Sequence, residues 1–220
     1  MRSHMQLSEL QISKDLKYLS PSITHHTAVL SSILEKHGWH LLGKGFEAAV
    51  AEHPEKSYVL KIFPSLSKYG DFVKFVQNHA NNVHLPRFSR YVKQIPGTVY
   101  AYVRMEKLAA ISKEKLTQNY AAYLVTLMQV DEQLNMATLH YSLTSKLEEV
   151  LAQAGWDHTQ LHVDYDHLYE LVGGEPPRDW QIMVHELAAY SKRAGHTHWD
   201  LHANNFLLRG NTLVIADPFV

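Results

Sequence analysis

The amino-acid sequence predicts an α+β fold with a boundary near residues 106–110. Three observations support this prediction. Alternating apolar residues and turn signals dominate the first half, helical periodicity dominates the second half, and short strands return only near the C-terminus. No internal repeat is evident, and 220 residues suffice to bury a core, as one domain or as two small lobes.

The first half predicts a helix, three short strands, a second helix and a strand pair. The first helix places Val29, Ile33 and Leu34 at helical spacing and stops at Gly38. The second helix carries Phe72, Phe75 and Val76 on one face. The strands follow from β-rich alternation around the turns HPEK and PGT. The predicted segments are 27–37, 39–63, 66–79, 90–95 and 98–105.

The second half predicts helices followed by a hairpin. Glycine and proline pairs separate the helices, and the turn RGN joins two brief strands, NFLL and TLVIA. The predicted helices are 113–130, 132–153, 159–171 and 178–194.

Composition limits the function classes. The net charge of −1 argues against broad electrostatic binding to nucleic acid or to an anionic membrane, and leaves room for local patches. With no cysteine, disulfides and thiolate zinc sites are excluded and a reducing cytoplasm is expected. No apolar run is long enough to span a bilayer, and the opening MRSHM resembles an expression-tag remnant.

The stretch GKGFEAAV, residues 43–50, is a candidate phosphate-binding hairpin. Gly43 and Gly45 would let backbone N–H groups approach phosphates, although Ala48 stands where a third glycine is usual. The alternative is an ordinary tight hairpin.

Lys61 lies between apolar residues in the strand YVLKIF. Burying the charge of a lysine there costs free energy unless an anion pairs with it, so Lys61 is a candidate phosphate ligand. The alternative is a lysine that points to solvent, because half of a strand's residues face outward.

The tail holds the strongest motif, H-x-D-L-x-x-x-N at residues 198–205. The hairpin predicted after it ends in three apolar residues and Asp217. Asp200 could accept a hydroxyl proton, Asn205 could bind a metal, and Asp217 could bridge Mg²⁺ to phosphates. The alternative is a polar loop whose Asn and Asp residues make turns. The glycine loop, lysine, helix, hairpin and metal aspartate also occur in the order typical of kinases.

From about Trp39 onward the chain resembles the protein-kinase-like superfamily, most closely the small early Ser/Thr kinases of short-tailed bacteriophages, where a D-x-H-x-x-N loop leads through a hairpin to D-P. The resemblance implies a minimal two-lobed fold lacking an activation segment and a lower helical lobe. Its expected parts are a helical extension at 1–38, with a tag remnant at 1–5, a β-rich lobe at 39–107 and a mostly helical lobe at 108–220.

The resemblance also implies roles by position. Asp200, Lys61 and His202 form the catalytic set, Asn205 and Asp217 bind magnesium, and His198 orders the loop. The expected ATP contacts are a lid of Gly43, Gly45 and Ala48, adenine-packing residues Val50, Val59 and Leu207, and a hinge of Met105, Glu106 and Lys107.

Three departures from the family pattern matter. His202 stands where ordinary protein kinases carry lysine. At this position the chain resembles aminoglycoside, choline and HipA-type kinases instead. The acid that pairs with Lys61 is left open between Asp71 and Glu47. The chain ends three residues after Asp217, so no activation-loop switch is expected.

The expected function is an ATP- and Mg²⁺-dependent Ser/Thr protein kinase, phage-encoded, that modifies host proteins in the cytoplasm without direct nucleic-acid or membrane binding. Two alternatives remain. One is a small-molecule phosphotransferase of the aminoglycoside or choline type, which His202 favours. The other is a catalytically weak kinase-fold module that docks or inhibits a partner.

Overall fold

The computed structural model describes residues 15, 27–44, 48–64, 66–95, 98–134, 139, 141–157, 163–196, 199 and 201–219. Within these residues the fold is α+β, with seven α-helices and two antiparallel sheets of five and three strands. The chain divides into two compact units. The first contains the described residues up to Asn78 together with Arg87–Lys107, and the second contains His79–Pro86 and the residues from Leu108 onward.

The first unit is a five-stranded sheet with two helices, in strand order β1-β2-β3-β5-β4. Every neighbouring pair in this sheet is antiparallel. The elements confirm the predicted helices and strands, although β4 is shorter than predicted. They are α1 Thr27–Glu35, β1 His40–Lys44, β2 Ala49–Glu52, β3 Tyr58–Pro64, α2 Lys68–Asn78, β4 Lys93–Gln94 and β5 Tyr100–Glu106.

One face of this sheet forms the hydrophobic core with α1. Strand alternation directs Leu60 and Ile62 of β3 to this face, where they join Leu30 and Leu34 of α1 and the fully buried Trp39. Because α1 and Trp39 occupy this face, side chains of opposite parity, including that of Lys61, lie on the other one.

Gly38 allows the tight turn that joins α1 to β1. Its φ is +76°, and a Cβ built there would lie 2.8 Å from Nε2 of His53. Gly38→Ala is therefore expected to lower the free energy of unfolding by about 1–3 kcal/mol, measured by urea denaturation. Gly195→Ala is the matched control, because Gly195 has φ +79° and open space around its Cβ. Equal losses in the two variants would contradict a steric contribution from His53.

The second unit consists of five α-helices and a three-stranded sheet in the order β6-β7-β8. In the described part of the chain, no helix is both long and apolar enough to cross a membrane. The elements are β6 Ala109–Ala110, α3 Lys113–Asn119, α4 Ala121–Leu134, α5 Tyr141–Gln153, α6 Tyr165–Leu171, α7 Arg178–Arg193, a 3₁₀ turn Ala203–Asn205, β7 Phe206–Arg209 and β8 Thr212–Ile215.

The predicted helix 178–194 and both tail strands are confirmed. The single helix predicted over 113–130 is wrong, because the chain breaks at Tyr120, whose Oη donates a hydrogen bond to the Asn211 carbonyl at 2.9 Å. The helix predicted over 132–153 is also wrong at its start, since α4 continues to Leu134 and α5 begins at Tyr141.

The helix predicted to begin at residue 159 is placed later, at Tyr165. Its first turn is capped by the side chain of Asp164, which accepts a hydrogen bond from the His167 N–H at 3.2 Å. Residues 158–162 lie outside the described part of the chain.

Residues His79–Pro86 cluster with the second unit, although the sequence suggested that they belong to the first. The reason is a set of long-range hydrogen bonds. Arg209 donates to the carbonyls of Val83 and Leu85 at 2.7 and 2.9 Å, and the Ile215 N–H donates to the His84 carbonyl at 3.0 Å. This segment therefore packs on the β7–β8 hairpin.

Candidate functional site

The β7–β8 hairpin brings Asn205 and Asp217 to the same end of the second sheet. Phe206 pairs with Ile215, and one residue further the Ala216 N–H donates to the Asn205 carbonyl at 2.8 Å. Asp217 follows directly. The turn at Gly210, with φ +59°, closes the hairpin, so two oxygen-bearing residues twelve positions apart become neighbours.

The 3₁₀ turn before β7 places Asn205 one turn after His202. The Asn205 N–H donates to the His202 carbonyl at 2.9 Å, and His202, which is half-buried, is the residue that precedes the turn. The predicted loop from His202 to Asn205 is therefore a compact turn that leads straight into the hairpin.

The chain is held on both sides of position 200. Trp199 forms an antiparallel bridge with Phe219, and Leu201 forms a parallel bridge with Leu139. The indole N–H of Trp199 also donates to the Ser191 hydroxyl of α7 at 2.9 Å. Asp200 and His198 lie outside the described residues, but these contacts bring Trp199, the neighbour of Asp200, beside the segment that follows Asp217.

The oxygen donors of the hairpin suit a hard cation. An amide oxygen from Asn205 and a carboxylate from Asp217 are ligand types that Mg²⁺ prefers, and Mg²⁺ usually combines one or two carboxylates with water and substrate phosphates. Among the described residues, no group of three His, Cys, Asp or Glu could hold a metal by itself.

Sequence reasoning missed the residues that anchor the hairpin, chiefly His84. This buried histidine donates from Nδ1 to the Leu213 carbonyl at 2.8 Å, and its Nε2 lies 3.3 Å from Oδ1 of Asp179. Its ring packs edge-on against Trp180 and Tyr123, and burial raises the pKa of Tyr123. No local sequence pattern indicates this cluster, since Leu213 is 129 residues from His84.

In the first unit, the strand register aligns the predicted nucleotide-contact residues on one sheet face. Lys61 in the central strand β3 pairs with Val50 on one side and with Val103 on the other. Two residues earlier, Val59 pairs with Met105. We call these residues the Lys61 face. They are Gly43, Val50, Val59, Lys61 and Met105.

Lys61 is buried, with 8 % of its surface exposed, so the solvent-pointing alternative is wrong. Its Nζ lies 4.5 Å from the ring centroid of Tyr69, a fully buried residue of α2 that the sequence did not single out. Asp71 forms an ion pair with Lys74, whose Nζ lies 2.9 Å from Oδ1 of Asp71. Glu47, the other predicted partner of Lys61, lies outside the described residues.

The remaining predicted contacts have mixed environments. Ala48, Val59 and Met105 are buried, whereas Val50 and Leu207 are half-buried, Leu207 being opposite Val214 in the second unit. Gly45 lies outside the described residues, and Gly43 has open space where a Cβ would stand.

The predicted hinge residues Glu106 and Lys107 make contacts within the first unit. Oε1 of Glu106 accepts a hydrogen bond from the Arg87 N–H at 2.7 Å. Nζ of Lys107 lies 3.3 Å from the His53 carbonyl oxygen and 3.6 Å from Oε2 of Glu52. These contacts hold both side chains within the first unit, which ends at Lys107, one residue after β5.

Comparison with known proteins adds no family to this geometry. A scan against protein-family models finds no match for the chain, and a search of curated proteins finds no significant match.

Proposed function

We propose that the chain is an ATP- and Mg²⁺-dependent phosphotransferase of the protein-kinase-like class that acts on Ser or Thr hydroxyls of proteins. The observation that carries the proposal is the hairpin register that makes Asn205 and Asp217 neighbours directly after the H-x-D-L-x-x-x-N motif. A turn-forming loop has no need for an amide and a carboxylate at the same end of a hairpin.

Each proposed role follows from the chemistry of the side chain. Asn205 and Asp217 would hold Mg²⁺ through oxygen atoms. The chemistry that bound Mg²⁺ supplies is neutralisation of charge on the phosphate oxygens. Asp200 would accept the proton of the acceptor hydroxyl, and Lys61 would hold phosphate oxygens of ATP.

The Lys61 face supports nucleotide binding. Val59 and Met105 lie two residues along the strands from Lys61, and Val50 lies directly opposite it, which gives an apolar surface that suits an adenine ring beside a phosphate chain. A buried cation on an apolar face suits an anionic ligand, because the ligand offsets the cost of burying the charge.

The substrate class and setting are part of the proposal. Protein acceptors in a host cytoplasm agree with the resemblance, and a chain without cysteine suits a reducing compartment.

Incubation of the purified protein with Mg²⁺ and γ-labelled ATP, alone and with bacterial lysate, is expected to label proteins. The Asp200→Ala variant should lose roughly 100-fold or more of this activity, because the general base is removed. Asn204→Ala, at an exposed residue of the same loop, is the matched control and should label normally.

Other results would redirect the assignment. ATP binding by calorimetry without protein labelling would favour a small-molecule phosphotransferase or a nucleotide-bound docking module. No ATP binding at all would overturn the proposal.

A further inference from the structure

The β4–β5 edge of the first sheet concentrates positive charge in a chain whose net charge is −1. Between residues 87 and 105 the sequence contains Arg87, Arg90, Lys93 and Arg104 and no Asp or Glu. We call these four residues the cationic edge. The nearest acid that follows is Glu106, whose carboxylate accepts a hydrogen bond from the Arg87 backbone.

The cationic edge lies where the sheet ends. In the described part of the chain β4 pairs with β5 alone, and Lys93 stands opposite Tyr102. The Ser89 N–H donates to the Arg104 carbonyl at 2.8 Å, which holds the segment before β4 along β5. Arg90 and Lys93 are exposed, so the charge faces solvent along a sheet edge.

Of the aromatic rings beside these cations, that of Tyr91 is open, since Tyr91 is 66 % exposed and its ring centroid lies 5.4 Å from Cζ of Arg90, whereas the other rings are buried or half-buried. Nζ of Lys93 lies 5.8 Å from the Tyr102 ring centroid, and Cζ of Arg104 lies 4.9 Å from that of Tyr58. Tyr102 is only 7 % exposed. Single-stranded nucleic acid stacks successive bases on several open aromatic faces, and a single open ring does not provide such a series, so this edge suits a protein partner better than a nucleic-acid partner.

We propose that the cationic edge binds an acidic protein segment that lies extended along β4. Charge complementarity selects the acidic partner, and a terminal strand can pair its backbone with an added strand. Val92, next to Lys93 and 41 % exposed, offers an apolar contact for alternate residues of that segment. This inference does not depend on phosphoryl transfer.

The test uses the full chain without nucleotide and three labelled probes in fluorescence anisotropy. The probes are a short peptide of alternating glutamate and valine, its glutamine–valine counterpart, and oligothymidylate of equal length. The glutamate peptide is expected to bind, more weakly as salt is added, and the other two probes should bind at least about tenfold more weakly.

The variant that tests the surface combines Arg90→Glu with Lys93→Glu, and should weaken binding of the glutamate peptide at least about tenfold. The matched control reverses two exposed cations of the second unit, Lys115→Glu with Lys192→Glu, and should bind as the native chain does. Thermal melting checks the fold of each variant. If the first variant does not fold, Arg90→Gln with Lys93→Gln replaces it, with an intermediate loss expected.

Four results would overturn the inference. They are no binding of the glutamate peptide, equal binding of the glutamine peptide, tighter binding of oligothymidylate, or equal effects of the two charge-reversal variants. The third result would instead identify the edge as a surface for single-stranded nucleic acid.

Discussion

Replacing Asp217 with asparagine is expected to lower phosphoryl transfer roughly 100-fold or more, because the carboxylate that would bridge Mg²⁺ to the phosphates becomes a neutral amide. The fold should be preserved, since asparagine has nearly the same shape and Asp217 follows a strand that is held by the Ala216–Asn205 hydrogen bond. Initial rates with γ-labelled ATP measure the effect.

The proposed roles of Asp217 and Asp200 differ in what they predict for binding. Asp217→Asn should weaken nucleotide binding in Mg²⁺ and leave binding in EDTA little changed. Asp200→Asn should impair transfer and leave nucleotide binding largely intact. Calorimetry in both buffers separates these effects. Unchanged Mg²⁺-dependent binding in Asp217→Asn would remove Asp217 from the metal site and with it the main support for the proposed function.

Much of the fold could be predicted because its signals are local. The helix α7 lies between a proline pair and Gly195, and the tail strands lie on either side of a turn with glycine at positive φ. The break between α3 and α4 could not be predicted in this way. Tyr120 lies 91 residues from its hydrogen-bond partner Asn211, and no breaker residue marks the site.

In the candidate site, too, local features could be predicted from the sequence and long-range contacts could not. Spacing in the tail was enough to nominate Asn205 and Asp217, since two short strands and a turn determine which residues meet. Burial of Lys61 was open from sequence, because strand alternation alone does not say which face is covered. The contact of Lys61 with Tyr69 depends on how α2 packs on β3, a tertiary feature without a sequence pattern.

Removing the His84 side chain is expected to cause the largest loss of stability among the changes considered. His84→Ala creates a cavity beside Trp180 and leaves the Leu213 carbonyl without its buried donor. These two effects together should lower the free energy of unfolding by about 2–4 kcal/mol, measured by urea denaturation. His84→Asn should recover about 1 kcal/mol of that loss, because its amide nitrogen can replace Nδ1 as the donor.

The effect of His84 should reach the hairpin that carries Asp217. The Ile215 N–H binds the His84 carbonyl, and Arg209 of β7 holds the carbonyls on either side of it. His84→Ala and Arg209→Ala loosen the same segment, so their combined destabilisation should fall short of the sum by about 0.5 kcal/mol or more. Strict additivity would mean that the two residues act on separate parts of the second unit. In that case the His84→Ala variant should bind nucleotide in Mg²⁺ as the native chain does. If the two residues anchor the same hairpin, nucleotide binding in Mg²⁺ should weaken in both the His84→Ala and the Arg209→Ala variants.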